Sequence, residues 1–510
     1  MGDVLAALGL IDPAIKAGKR LIQACEDFRH ANDEIRERIK KIQSVWIVTE
    51  RQIAFLGRIW KTLDEGLQEH QSELLDELTS KLDAANKQIG RVTHRKETGD
   101  EAAKVIRWKY VAIKGSIDKA IEQLREWQRE FDPGWFLMMK IADAVIDREL
   151  AEEVNPCDVK KGDVDSMSTA RNVRKFLKAD PQEKFTLWRN PIPAHQNSIP
   201  YSAARTVWQS DTRHFIVDTV SCPPGGNLDI LYKDVRDLAR KLSVADPETF
   251  GLLQCAGVVR RKAAGYEKPN VFDFLFLFPK GLQNPRSLRS VLLSKDPNTS
   301  LSRRYHVARQ LAQSVSYVHT YGFVHKSIRP DTILVMEDGN TPLAASFLLG
   351  FEKFRTADGR TLRAGDSVWE KDLYRHPRRQ GLKPEEEYRM QHDIYSLGVC
   401  MLEIGLWDSF VLFEAGKAIA SKVLPGYVDE DEKEYQKAVS LKQSLVEHAK
   451  KKLPSRMGDK YTEVVVNCLT CLDEDNVDFG DPSELEDEDG VQIGVRFIEK
   501  ILRKLNSISI

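Results

Sequence analysis

Residues 325–334, His325-Lys326-Ser327-Ile328-Arg329-Pro330-Asp331-Thr332-Ile333-Leu334, gather six polar or charged side chains ahead of an apolar pair. Taking a proton from a substrate hydroxyl calls for a carboxylate or an imidazole. The centre of the segment holds Ser327, whose hydroxyl is a poor acceptor at neutral pH. Its own carboxylate, Asp331, comes four residues later and is followed by Thr332. A second short set, Gly350-Phe351-Glu352, offers one acidic side chain that could meet a metal ion. Cys468-Leu-Thr-Cys471 is a lone C-x-x-C in an expected helix. Without a second pair it reads as core packing rather than zinc or redox chemistry.

These groups must be positioned by a large chain. At 510 residues it exceeds what one core organises, so two or three domains are expected. Charged residues make up 30% and hydrophobic ones 42%, which is ordinary for globular protein. Lys plus Arg number 76 against 77 Asp plus Glu, and a net charge of −1 gives no global attraction to nucleic acid. Seven cysteines, few and odd in number, suit a reducing compartment. No segment reaches the roughly 18–20 apolar residues that span a bilayer. The apolar run at 4–11 is short and has no basic stretch ahead of it. The expected address is the cytoplasm, with membrane contact only at a surface and after activation.

Three regions follow one another. Residues 1–152 read as nearly continuous helix. Ile35, Ile39, Ile42, Trp46, Thr49, Ile53, Leu56, Trp60 and Leu63 recur at alternating four- and three-residue steps, one stripe broken only by Thr49. A second stripe runs from Leu67 to Val92 and a third from Ile106 to Phe131. Asp132-Pro133-Gly134 reads as a turn before a further helix at 135–150. With an N-terminal helix to about Phe28, this predicts four or five antiparallel helices joined by short loops. A coiled-coil dimer accounts for such stripes too; the bundle within one chain is preferred. Residues 153–180 read as a linker or brace, with a short basic helix at 168–177. Residues 181–510 change character: β-type runs at 185–188, 205–208, 214–220, 257–260 and 271–278 surround one helix at 228–242, and helices dominate after Leu301.

This third region resembles a protein-kinase domain over about 320 residues, most closely from 301 to 405. Residues 305–320 match the helix before the catalytic loop. His325 stands at the histidine of H-R-D, Phe351 at the phenylalanine of D-F-G, and Asp393-Ile-Tyr-Ser-Leu-Gly398 matches D-x-W-S-L-G. The resemblance implies a bilobal fold, an N-lobe at about 181–280 and a C-lobe at about 281–510, in which His325, Phe351 and Asp393 are architectural. It also implies lost chemistry. Ser327 stands in place of the catalytic aspartate, Thr332 in place of the metal-binding asparagine, Gly350 in place of the D-F-G aspartate and Asp218 in place of the strand lysine. No G-x-G-x-x-G occurs between Phe185 and Trp208. A carboxylate at 218 would repel a triphosphate by roughly 4 kcal/mol at about 4 Å and an intermediate dielectric. His376-Pro377-Arg378 replaces A-P-E. No catalytic residue, metal or cofactor is therefore expected. The alternative is an active atypical Ser/Thr kinase using ATP and magnesium, with Asp331 as base and Glu352 as metal ligand. Thr356, Thr361, Ser367 and Tyr374 fall in the activation-segment equivalent as candidate phosphorylation sites.

The helical region is similar to the HeLo group of domains found at the front of fungal cell-death and heterokaryon-incompatibility proteins. The resemblance rests on Leu5-Ala-Ala-Leu-Gly-Leu-Ile-Asp-Pro-Ala-Ile15, on 21–28 and on Phe131-Asp-Pro-Gly-Trp135. The order of bundle, brace and degenerate kinase also resembles the mixed-lineage kinase domain-like proteins. That likeness implies a switch in which the kinase-like part restrains or releases a membrane-active bundle. Leu5 and Leu8 with Lys16, Lys19 and Arg20 suit an interfacial helix on anionic lipid. Expected partners are an upstream signalling protein or receptor, an anionic membrane surface and further copies of the chain, and no nucleic acid. A scaffold whose bundle docks a helical partner is the competing expectation.

Overall fold

The structure is a computed structural model describing residues 2–29, 32–93, 102–141, 143–152, 166–178, 187–190, 195–210, 213–222, 226–263, 265, 268–351, 355–356, 368–381, 386–425, 434–479 and 490–509. It divides into two compact units, Met1–Arg174 and Lys175–Ile510.

The first unit is helical: α1 (Gly2–Glu26), α2 (Asp33–Ile59), α3 (Glu65–Thr93), α4 (Ala102–Leu137), α5 (Ala144–Glu152) and α6 (Ser166–Lys178). Asn32 starts α2 by accepting the Ile35 N–H at 2.9 Å, and Asp33 and Glu34 add acidic charge to the first turn. α1 packs on α2 and α3, and α4 packs on the same pair, which closes a four-helix bundle. The stripe on α2 faces inward, with Ile35, Ile39, Ile42, Trp46, Ile53 and Leu56 all buried. Thr49 is buried among them because its hydroxyl donates to the Val45 carbonyl at 3.0 Å and accepts from Gln128 Nε2 at 2.9 Å. Gly18 lets α1 approach Trp46: a Cβ there would lie 2.0 Å from the indole.

Two expectations change here. Asp132-Pro133-Gly134 is not a turn; α4 continues through Pro133 to Leu137 and a 3-10 turn follows at Met138–Lys140. An interior proline costs about 3 kcal/mol. Trp127, Phe131, Trp135 and Phe136 are all buried, with Trp127 and Phe131 stacked 4.7 Å apart and Phe55 edge-on to Trp135 at 5.1 Å. Burying even one such ring is worth as much as the proline costs, so packing overrides the local break. The brace region also begins as part of the first unit. Arg174 in α6 is 4% exposed and donates to the carbonyls of Met139, Ile141 and Asp143 and to Asp147, satisfying the backbone that ends the 3-10 turn.

The second unit opens with a six-stranded sheet: β1 (Trp188–Arg189), β2 (His195–Ser198), β3 (Arg205–Ser210), β4 (Arg213–Ser221), β5 (Cys255–Arg261) and β6 (Val271–Leu277), in the order β1-β5-β6-β4-β3-β2. All pairs are antiparallel except β1 with β5. β2 has no counterpart among the expected strands because His-Gln-Asn-Ser is polar and exposed throughout and shows no alternation. Between β4 and β5 lie α7 (Leu228–Leu242), capped by Asn227, and α8 (Pro247–Phe250).

Then come β7 (Gln283–Ser287), α9 (Leu288–Ser294), α10 (Leu301–Thr320), β8 (Phe323–Val324), β9 (Ile333–Glu337), β10 (Ala345–Leu348), β11 (Arg355–Thr356), α11 (Trp369–Asp372) and α12 (Met390–Leu406). Every residue of α12 is buried, which makes it the post around which this part packs. Gly398 brings it against the helix Asp459–Thr470, where a Cβ would meet Cys468 at 2.8 Å. No helix among the described residues is long and apolar enough to cross a membrane.

Candidate functional site

Asp393, in the first turn of α12, holds the 325–334 segment in place. Its carboxylate is wholly buried and accepts the backbone N–H of His325 at 2.7 Å and of Lys326 at 2.9 Å, and the Tyr388 hydroxyl at 2.7 Å. His319 Nε2 lies 3.2 Å away. Burial alone would raise its pKa, yet the bonds from His319 and Tyr388 hold it below the usual aspartate value. The anchor also fixes Lys326 in a left-handed conformation at φ 64°. His325 then sits with its ring 4.8 Å from that of Phe351.

The positions that could do chemistry are brought together by the β9–β10 hairpin. Ile333 pairs with Leu348, and the Leu349 N–H donates to the Thr332 carbonyl at 2.8 Å, which sets Thr332 beside Gly350. The two touch so closely that a Cβ on Gly350 would lie 2.2 Å from Thr332 Cγ2. The Thr332 hydroxyl turns inward, 2.8 Å from the Ser327 carbonyl and 2.9 Å from that of Arg329. Ser327 is 6% exposed, and its hydroxyl accepts from the Arg329 guanidinium. Across the cluster, Asp218 from β4 is 2% exposed; its Oδ2 accepts the Gly350 N–H at 3.0 Å and the Phe351 N–H at 3.1 Å. Two adjacent N–H groups with Gly350 at φ 82° form a small anion cradle, and an internal carboxylate fills it.

Asp331 is paired with two arginines. It accepts from Arg289 Nη2 at 3.3 Å and lies 3.7 Å from Arg329 Nε. Arg289, from α9, is 1% exposed and completes a buried network. Its Nη1 reaches Glu403 at 3.0 Å and Ser409 Oγ at 2.6 Å, and its Nη2 reaches the Tyr374 hydroxyl at 2.6 Å. Tyr374 in turn donates to Glu403 at 2.8 Å, which also accepts the Phe410 N–H at 2.7 Å. Burial works against the charge on Arg289, but Tyr374, Glu403 and Asp331 together raise its pKa. Tyr374 is thus a structural hydroxyl closed to modification in this fold.

The hairpin loop between β2 and β3 is Ile199-Pro200-Tyr201-Ser202-Ala203-Ala204, with no glycine and with Tyr201 at φ 56°. Ser287 Oγ donates to the Pro200 carbonyl at 2.5 Å, and the Tyr201 ring lies 5.0 Å from Phe413.

The aligned positions offer a serine committed to Arg329, a threonine facing carbonyls, a glycine, and an aspartate bonded to backbone N–H groups. Glu352, Thr361 and Ser367, and the side chain of Thr356, lie outside the described residues. Cys468 and Cys471 are fully buried, burial pushes both thiols up, and Cys471 donates to the Gln391 carbonyl at 3.2 Å. No group of three or more His, Cys, Asp or Glu among the described residues is placed to hold a metal.

In the first unit, the side chains of Leu5 and Leu8 are likewise outside the described set. Ile11, Ala14 and Ala17 of α1 are buried and Lys16 is exposed. Lys19 pairs with Glu50 at 3.0 Å and Arg20 with Asp83 at 3.2 Å. Sequence reasoning missed Arg289 because Ser-Leu-Arg-Ser-Val-Leu reads as an ordinary helix. Glu403, a lone carboxylate in the otherwise apolar end of α12, was the signal that a buried cation must exist.

Acid sensitivity is built in nearby. Burial, followed by Lys442 and His392, pushes the His376 pKa down to about 2. The unfolded chain takes up this proton below pH 6.5 while the folded chain does not, so stability rises with pH between about 2 and 6.5. Glu386 is held at about 2, first by its close contact with His392 at 3.6 Å and, against burial, by its hydrogen bond from Arg378 at 2.7 Å. Its stabilisation is present above the ordinary glutamate range and lost toward pH 2. Urea midpoints are expected to fall steadily from pH 6.5 to 4.5, with His376 contributing up to about 1.4 kcal/mol per pH unit. His376→Phe should flatten that slope; an identical slope in the variant contradicts the assignment.

Comparison with known proteins agrees with this geometry at a coarse level. No family model matches the chain. It is 25% identical over 115 residues to the serine/threonine-protein kinase sax-1 of Caenorhabditis briggsae, covering 22% of this chain and 23% of the relative. It is 29% identical over 146 residues to a serine/threonine-protein kinase-like protein of Arabidopsis thaliana, covering 27% of this chain and 39% of that one. The chain thus spans about a quarter to two fifths of these relatives. A kinase-like region, in a chain whose first part is helical and whose second part contains the sheet, is consistent with all of these observations.

Proposed function

We propose that the second unit is a pseudokinase, a bilobal kinase-like module that signals by conformation rather than by phosphoryl transfer. Its output is the helical first unit, a HeLo-like effector. The observation that carries this reading is the Asp218 carboxylate seated on the Gly350 and Phe351 N–H groups, where an active kinase would need a metal-binding aspartate. The proposed upstream partner is a signalling protein or receptor. The proposed targets of the released bundle are an anionic membrane surface and further copies of the chain, reached from the cytoplasm. Release requires the Lys19–Glu50 and Arg20–Asp83 pairs to open; pairs this exposed are worth about 1 kcal/mol or less each.

The test has two arms on the full chain. With radiolabelled ATP and magnesium, no phosphate transfer is expected. With phosphatidylserine liposomes, Asp218→Ala is expected to release entrapped dye faster than the wild type. Transfer that disappears in Asp331→Asn would establish an active enzyme, and inert liposomes with both proteins at micromolar concentration would remove the effector half.

A further inference from the structure

One level of the four-helix bundle has a polar core. Gln52 from α2, Gln71 from α3 and Trp135 from α4 are fully buried there, with His70 buried beside them. Three contacts bring them together. Gln52 Nε2 donates to Asp132 Oδ1 in α4 at 3.2 Å, Phe55 of α2 lies edge-on to Trp135 at 5.1 Å, and the Gln71 amide rests against Gly134. A Cβ at position 134 would lie 2.6 Å from Gln71 Nε2, so the glycine makes room for the amide.

Neither Oε1 nor Nε2 of Gln71 has a hydrogen-bond partner in the protein, and the same is true of Trp135 Nε1 and Gln52 Oε1. No described residue of the first unit away from this level carries such an atom. Earlier on α4, Trp127 Nε1 donates to the Leu74 carbonyl at 2.7 Å, and Thr49 of α2 is bonded to Val45 and Gln128. Buried polar groups are normally bonded, because an amide that leaves water without a new partner raises the free energy of the closed state. Separation of the helices returns the water and removes that cost. The ladder of α4 is interrupted at the same level: Pro133 has no N–H to offer the carbonyl one turn back.

We propose that this level is the seam at which the bundle opens: α3 and α4 part first around Gln71 and Trp135, where rehydration of the orphaned groups offsets part of the aromatic contact that is lost. The opening stands on the buried groups alone. Its consequence, helices exposed for membrane contact, rests on the effector reading, and the test separates the two.

Hydrogen exchange of the full chain is followed for the wild type and for Gln71→Leu and Gln71→Met, which remove both amide atoms at similar size. Exchange at 70–75 and 130–137 is expected to slow at least about tenfold in both variants, with little change at 78–85 and 117–124 of the same helices. Both variants should also release dye from phosphatidylserine liposomes more slowly than the wild type. Local slowing with unchanged dye release leaves the seam standing and counts against the effector reading. Slowing spread evenly over α1 to α4 would mean a bundle that opens only as a whole. Unchanged or faster exchange would mean that the amide is bonded to water while the bundle is closed. Either of these last two results overturns the proposal.

Discussion

Arg289→Ala is expected to destabilise the second unit by about 3–5 kcal/mol, the usual result of removing one member of a buried ion pair. Glu403 is fully buried, burial already raises its pKa, and without Arg289 it would be left with only Tyr374 and the Phe410 N–H as partners and no cation. Three segments would loosen together, because the same guanidinium ties α9 to Asp331, to Tyr374 and to the end of α12. Hydrogen exchange should show protection lost in α12 and around 330–333, with the four-helix bundle unaffected. Arg289→Met combined with Glu403→Gln should recover a large part of the loss, since it removes both charges. A single-variant loss under about 1 kcal/mol would mean that the network is incidental.

The second large effect concerns restoration of the aligned metal ligand. Gly350→Asp is expected to destabilise the unit by about 2–4 kcal/mol and to create no magnesium site. Position 350 has φ 82°, a conformation that costs a residue with a side chain about 1–2 kcal/mol. The new Cβ would also lie 2.2 Å from Thr332 Cγ2, an overpacking cost of about 1–3 kcal/mol. Adding Thr332→Ala removes the Cγ2 contact but leaves the Cβ of position 332 at 2.6 Å, as well as the backbone cost, so it should return only a minor part of the loss. Neither variant should gain a magnesium-dependent thermal shift with ATP, because Asp218 remains beside the Gly350 N–H and repels phosphate. A shift of several degrees on adding magnesium and ATP to Gly350→Asp would show that the site is merely one substitution from function.

These two cases mark how far sequence reading reached. The substitutions at 218, 327, 332 and 350 were visible as residue types in a recognisable order. Their consequences were not visible. Thr332 and Gly350 are 18 positions apart, and only the β9–β10 register makes one the steric limit of the other. Asp218 was read as a repellent for phosphate; the fold makes it a ligand for two backbone N–H groups 132 and 133 residues away. Asp331 was read as a possible substitute base, and its pairing with Arg289 from α9 could not be read from the sequence.

The same division holds in the helical half. The stripe on α2 was legible because a 3.6-residue period sorts side chains onto one face whatever lies opposite. The course of the chain through Pro133 was not, because a local rule lost to the burial of four aromatic rings contributed by the packed bundle.

By itself, then, the order of residues determined most of the helices, the inward faces and the absence of carboxylates at 327, 332 and 350. Those properties follow from short-range periodicity and side-chain chemistry. Tertiary structure alone decided which charges meet: Arg289 with Glu403, Asp218 with the turn at Gly350, Arg174 with the end of α4. A buried charge is tolerated only where distant segments converge to solvate it, and that convergence is a property of the fold.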